Sequence, residues 1–506
     1  MTPLRQAPAG IGAALPRRKT DPQVCLDYSF LQKVFAFVGA LTVVLSPLAR
    51  DPTAFAVGGI VPWMLISIIK RPNMPVAVIF FLIWQWTQVY ARELQTLADQ
   101  ESLGHGIFGT SIERAYYYSL ASLLTLAFAM RLTLGRIPDP TPQLRTQHMR
   151  WQARDMMILY FASIPVVTFA RIAGGISSGL DQPMSALRNI KVLVLILLFS
   201  NIMSTGKGGK FLLFVVVFET ISGFTGLFAD FKSIFIMLGL AAIAVRIRWG
   251  FTLSIASIAW LTIVVALAIF WSGVKGEYRQ YATGSDESQT INVSLGDRLG
   301  YIGNRAITPS SVDWNGASYA LLIRLAYIDI FGSVITVQEA NPEPETMRQW
   351  REALAHVLQP RFLFPDKAPL SDSDVYVRLA KGDPTDEVRE GTSISVGYMA
   401  ENYADLGFPG MLVGILVLGF IIGGACRYFM SLKKLPWMVR EGTAVVLIYS
   451  VAQGGMEVSL PKVLGSVLMT TIVYVIVARF GYPYVLTWLN RPVGGRKLPP
   501  PRRVRA

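Results

Sequence analysis

The chain has 506 residues, 52% of them hydrophobic and only 16% charged, with a mean hydropathy of +0.43. These values exclude an ordinary water-soluble globular protein of this size and make a membrane its main solvent. The net charge of +14 does not mark a nucleic-acid binder, because most Lys and Arg flank apolar runs or sit in the two tails.

Residues 1–28 carry Arg5, Arg17, Arg18 and Lys19 but no apolar core ending in a small-residue cleavage site. They read as a cytoplasmic basic tail and not as a removable signal. The two cysteines, Cys25 and Cys426, lie in no ligand spacing, so neither a disulfide framework nor a zinc site is expected. A spanning helix needs roughly 20 mostly apolar residues to cross about 30 Å of hydrocarbon. Twelve segments meet this loosely: 30–48, 53–69, 73–91, 113–133, 155–174, 185–204, 209–228, 231–247, 251–273, 406–428, 438–454 and 460–480. The second and eighth are the weakest. The expected architecture is therefore an all-α polytopic membrane protein. Nine spans lie in 29–273, a large external loop covers 274–403, three spans lie in 404–481, and 482–506 form a basic Pro/Arg tail.

Lys and Arg resist translocation, which sets the orientation. With the N-terminus inside, the connections holding Lys70 and Arg71, Arg131 to Arg154, Lys207 and Lys210, and Arg246 and Arg248 all fall inside. So do Arg427, Lys433, Lys434, Arg440 and the C-terminal tail, which makes both termini cytoplasmic. The acidic connection with Asp99 and Glu101 falls outside, as does the long loop. Within the loop, Tyr319 to Val334 reads as an amphipathic run and Pro344 to Val357 as a helix. The Pro-, Asp- and Ser-rich stretch from Gln359 to Gly391 reads as irregular. The loop is expected to cap the membrane surface.

Four clusters carry candidate chemistry. In WSGVKGEYRQ, Lys275 and Arg279 stack at i, i+4 if the ninth span continues outward, and Tyr278 lies between them. Such a pair suits a diphosphate, and equally an interfacial anchor beside Trp271. Arg298, Arg305 and Arg324 follow, the last inside the apolar run ALLIRLAYI, where an Arg snorkels or pairs with an anion. QPRFLFPDKAP holds Arg361, Asp366 and Lys367 between prolines and also reads as a surface turn. In GYMAENYADLGFPG, Glu401 and Asp405 share a helical face beside Tyr398, Asn402 and Tyr403. These carboxylates suit helix capping or the deprotonation of a sugar hydroxyl. Gly410 with Gly414, and Gly419 with Gly423, mark close helix packing. Arg171 and Glu219 are charges within spans, Arg171 on the loop side.

The order GGK near 208, KGEYR after a span, PRFLFPDK, then GYMAENYADLGFPG resembles the Wzy-type O-antigen and exopolysaccharide repeat-unit polymerases. The likeness covers about the C-terminal 300 residues, and the last element lacks the family's Phe before the Gly. The resemblance implies a GT-C-like, metal-independent lipid-sugar glycosyltransferase of the bacterial inner membrane, without a cofactor. Its substrate would be an undecaprenyl-diphosphate-linked oligosaccharide in membrane lipid, and its partner a chain-length regulator. Arg279, Arg324, Arg361 and Lys367 would hold the diphosphate, with Lys275 and Tyr278 beside them, and Glu401 would act as base. Arg171, Arg305 and Tyr403 would support them. An O-antigen ligase shares this topology and donor. A flippase or exporter of lipid-linked sugars would place its charges along a central membrane cavity. A membrane scaffold would tolerate substitution of Arg279 or Arg324.

Overall fold

The computed structural model describes residues 25–105, 108–176, 179–224, 231–284, 291–308, 310, 312–342, 346–359, 364, 367, 371–381 and 394–491. Asp27 opens the first helix by accepting a hydrogen bond from the Phe30 amide at 2.9 Å, satisfying a donor that a helix start leaves orphaned. The helices up to the loop are α1 (Tyr28–Leu45), α2 (Pro52–Ile69), α3 (Val76–Asp99), α4 (Thr110–Leu134), α5 (Pro142–Thr146) and α6 (Ala153–Ile176). They continue as α7 (Asp181–Arg188), α8 (Ile190–Thr205), α9 (Gly209–Phe224), α10 (Phe231–Ala244) and α11 (Phe251–Thr283). The loop contributes α12 (Leu295–Ile307), α13 (Trp314–Leu325), α14 (Ile328–Ala340), α15 (Arg348–Leu358) and α16 (Asp372–Tyr376). The chain ends with α17 (Tyr398–Met430), α18 (Trp437–Ala452), α19 (Leu460–Ile476) and α20 (Tyr482–Leu489).

Each of the twelve expected segments overlaps at least one helix, and among the described residues eight helices are long and apolar enough to cross a membrane, or nine if α13 and α14 form one bent span. The eight exclude α3, whose second half carries Gln85, Gln88, Arg92 and Glu93, and α9, α10 and α18, of 16, 14 and 16 residues. Burial is inverted relative to a soluble protein. Phe37 on α1 and Phe251 on α11 are 70% and 82% exposed, while polar Gln85 and Asn402 are fully enclosed. A multi-pass membrane protein accounts for apolar side chains on the outside.

Contacts sort the connections into two ends. At one, the Tyr28 hydroxyl donates to the Pro75 carbonyl at 2.7 Å, the Val76 amide to Glu441 at 2.6 Å, and the Trp151 indole to Asn490 at 3.1 Å. The Leu26 amide donates to Ile247 at 2.8 Å, so both described termini lie there. At the other, Arg92 pairs with Asp329 at 3.3 Å, Arg114 donates to Glu339 at 2.9 Å, and Asp372 receives Lys462. That second end holds the loop.

Close packing of α4 on α17 runs through Gly419 and Gly423. A Cβ at Gly419 would meet the Ala129 Cβ at 2.5 Å, and one at Gly423 the Thr133 Oγ1 at 2.5 Å. Gly414 leaves room for Asn402 and the Trp350 indole, whereas Gly410 faces only Leu406 of its own segment. Gly419→Leu is expected to cost about 3 kcal/mol or more, because overpacking a helix crossing forces the backbones apart. Thermal unfolding in detergent measures this. Gly424→Ala, where a Cβ would meet nothing within 4 Å, serves as the control and should leave the midpoint nearly unchanged.

The loop helices pack against the loop-end parts of the bundle. The run 319–334 breaks at Ala326–Tyr327, and α13 and α14 bend by 48°. α13 lies against α3 and α11, while α14 lies against α4 and α17. Phe331, Val334 and Ile335 are at most 2% exposed, and burying them draws α14 into the bundle. The helix expected from Pro344 begins at Arg348, and Pro344 lies outside the described residues. Within the stretch expected to be irregular, 372–381 is helical. Ser371 starts it by accepting from the Asp374 amide at 3.1 Å.

Candidate functional site

Because α11 continues unbroken to Thr283, Lys275 and Arg279 stand one turn apart on a single face. A turn below them, Trp271 is buried against Phe224 and Tyr278, with ring centroids 5.8 and 5.4 Å apart. Trp271 and Tyr278 thus form an aromatic core, and Tyr278 supports the basic face from behind. α13 crosses α11 at Gly273, where a Cβ would meet Ala317 and Val312 at 3.0 Å. This close approach brings Arg324, in the last turn of α13, near enough for its charge to act on both Lys275 and Arg279.

Two further elements complete the site. α10 begins with Phe231, stacked on Phe224 at 4.4 Å, and then Lys232, whose ammonium lies 5.8 Å from the centre of the Trp84 ring on α3. The turn Gly455–Glu457 joins α18 to α19 and is anchored by Gln88 of α3. The Gln88 side chain accepts from the Met456 amide at 2.7 Å and donates to the Glu457 carboxylate at 3.4 Å. Gly455 has φ +61 and lies against the Gln88 side chain, so both its conformation and its lack of a side chain are needed. Burial raises the Glu457 carboxyl above the usual carboxylate range, against the opposing pull of Arg324 and Lys232. Arg324 and Lys232 thus act on Glu457, and Arg324 acts in turn on Lys275 and Arg279, which links four cations and one carboxylate at the loop end. Like charges held this close repel, and a polyanion seated between them relieves that repulsion. Arg forks match paired phosphate oxygens, and Lys adds mobile point charge.

Sequence reasoning singled out Lys275, Arg279 and Arg324, and these converge. It missed Lys232 and Glu457, single charges at helix ends whose only signal is their position at a span boundary.

Glu401 sits elsewhere. Its carboxylate is 2% exposed and accepts from the Leu460 amide at 2.5 Å, capping the start of α19. The charges acting on it are those of Asp372, Asp405 and Arg378, not the arginines of α11 and α13. Asp405 caps α15, accepting from the Gln349 and Trp350 amides at 3.0 Å each, and Asn402 accepts from the Trp350 indole at 2.9 Å. The whole face therefore docks helix starts. Tyr327 bridges the two regions, since the carboxylates of Glu457, Asp372 and Glu401 all act on its hydroxyl.

The remaining candidates are dispersed. Arg305 pairs with Glu277 and lies over the Tyr301 ring at 5.6 Å, tying α12 to α11. Lys367 donates to the Gln359 carbonyl at 2.9 Å and to that of His356, satisfying carbonyls at the end of α15. Tyr403 packs among Tyr118 and Phe331, at 6.0 and 5.7 Å, beside α4 and α14. Arg171 lines a separate polar cavity, while Glu219 pairs with Lys191 at 2.9 Å. Arg361 and Asp366 lie outside the described residues. Among the described residues, no three His, Cys, Asp or Glu side chains are grouped to hold a metal ion. No protein-family model, curated protein or solved structure matches the chain.

Proposed function

We propose that the chain joins undecaprenyl-diphosphate-linked oligosaccharide units into a bacterial surface polysaccharide, working on the external face of a twelve-span inner-membrane bundle with cytoplasmic termini. One observation carries this reading: Lys275, Arg279 and Arg324 act on one another, with Lys232 and Glu457 beside them, at the end where the loop returns into the bundle. In the reaction, a hydroxyl of the incoming unit attacks the anomeric carbon of the growing chain. The bond from that carbon to the diphosphate oxygen breaks, and undecaprenyl diphosphate leaves with the electron pair. The basic cluster stabilises negative charge as it builds on the departing diphosphate. Glu457 takes the proton of the attacking hydroxyl, a role that suits a carboxyl whose proton affinity is raised by burial. Glu401 keeps a positioning role through α19.

The test supplies purified protein in lipid with the undecaprenyl-diphosphate-linked repeat unit, chelator present, and resolves products on a gel. A ladder is expected, and it should vanish in Arg324→Ala. Substrate recovered unreacted, with the native repeat unit supplied, sinks the polymerase reading. A second reading, an exporter of lipid-linked sugars, draws support from the charged cavity between α6, α8, α9 and α19. It requires movement of the glycolipid across vesicle membranes without polymer formation.

A further inference from the structure

The cavity lined by Arg171 holds about 500 Å³ between α6, α7, α8, α9, α10, α18 and α19, within the size range of small-ligand sites. The C-terminal parts of α6 and α18 and the N-terminal parts of α8, α10 and α19 reach it, so it opens toward the loop end. Its charged lining is largely paired. Lys191 meets Glu219 at 2.9 Å, Arg188 meets Asp181 at 3.8 Å, and Lys462 meets Asp372. Arg171 alone among these cations has no ion-pair partner among the described residues. The rest of the wall mixes neutral hydrogen-bonding groups, including Gln182, Ser185, Asn189, Ser450, Gln453 and Ser466, with apolar side chains such as Val192, Leu195, Ile234 and Met237.

That lining does not suit a prenyl chain, which would leave these amides and hydroxyls unpaired. It does suit sugar hydroxyls, each of which both donates and accepts. It also adjoins the basic cluster. Lys232 and Ser233 are neighbours in the first turn of α10, the former acting on Glu457 and the latter lining the cavity. Gln453 lines it two residues before the anchored 455–457 segment. We propose that this cavity holds the oligosaccharide of a lipid-linked substrate, and that Arg171 receives the carboxylate of an acidic sugar within it. The assignment rests on the reading of the basic cluster as the diphosphate site. A glycolipid with its diphosphate at Arg279 and Arg324 extends its sugars across the start of α10 into the cavity.

The experiment measures binding to the full chain in lipid nanodiscs with three probes: bare undecaprenyl diphosphate, the same carrier bearing a glucuronate-containing trisaccharide, and its carboxyl-reduced analogue. The acidic glycolipid is expected to bind about ten- to a hundredfold tighter than the reduced one, the range for one charge-assisted contact. Arg171→Gln should abolish that difference. Ser466→Trp, which fills the cavity, should weaken both glycolipids to the affinity of the bare carrier, with an unchanged unfolding midpoint as the control. Equal binding of the two glycolipids to the parent overturns the acidic-sugar assignment. Unaltered glycolipid binding in Ser466→Trp overturns the cavity assignment. Failure of the bare carrier to bind, or its indifference to Arg324→Ala, instead overturns the diphosphate reading. The free trisaccharide, tested against Ser466→Trp, then decides the cavity independently.

Discussion

Arg324→Ala is expected to lower polymer formation by about two to three orders of magnitude, the usual cost of removing one preorganised group that stabilises charge in a transition state. Arg324 is the group common to the site, since its charge acts on Lys275, Arg279 and Glu457 alike. Arg279→Ala should fall in the same range, and the double variant well short of the product of the two, because they serve one anion. Arg324→Lys keeps the charge but loses the planar fork, and should recover only part of the activity. Initial rates with the lipid-linked repeat unit make the measurement. A double variant with the activity of the parent would remove the cluster from the mechanism.

Glu457→Gln should reduce the rate by about two to four orders of magnitude, the span typical of lost general-base catalysis. The parent's activity should fall on the acid side as Glu457 becomes protonated, and this acid limb should be missing from the residual activity of the variant. Stability provides a second readout. The folded carboxyl holds its proton more tightly than the unfolded one, whose ordinary value is 4.5. Between that value and the raised one the folded state binds more protons, so this contribution is fully present below the unfolded value. It is lost as pH rises through the folded value. The unfolding midpoint of Glu457→Gln, relative to the parent, should therefore climb with pH across this window. A flat difference would mean that Glu457 is not a buried, proton-holding group.

The basic pair on α11 could be read in advance because its helical spacing continues from an apolar run, and Arg324 because it is the lone charge among apolar neighbours. Lys232 and Glu457 gave no such pattern. Their convergence depends on α3, which supplies Trp84 beneath one and Gln88 beneath the other, and that is long-range packing. The spacing of Glu401 and Asp405 correctly put both on one helical face. It carried no sign that the starts of α19 and α15 would dock there and use those carboxylates as caps. The break between α13 and α14 was equally hidden, since neither Gly nor Pro marks Ala326–Tyr327 and the apolar spacing runs on through it. The apolar helices were legible because burial against lipid demands long apolar runs, whereas the short polar helices at 295–307 and 372–376 carry no such signal.

The reach of α11 has one more consequence. At 1.5 Å per residue, Lys275 stands about 36 Å along the axis from Phe251, just beyond a hydrocarbon layer about 30 Å thick. With Phe251 at one membrane boundary, that basic face comes level with the phosphates of the far leaflet, the outer one in the proposed orientation. A diphosphate carried by a membrane-anchored prenyl chain would already travel at that height and would meet the site by lateral drift alone. Encounter becomes two-dimensional, governed by the mole fraction of carrier among the surrounding lipids. Adding inert phospholipid at fixed total carrier should slow the reaction, whereas diluting the same vesicles with buffer should leave the rate per molecule unchanged.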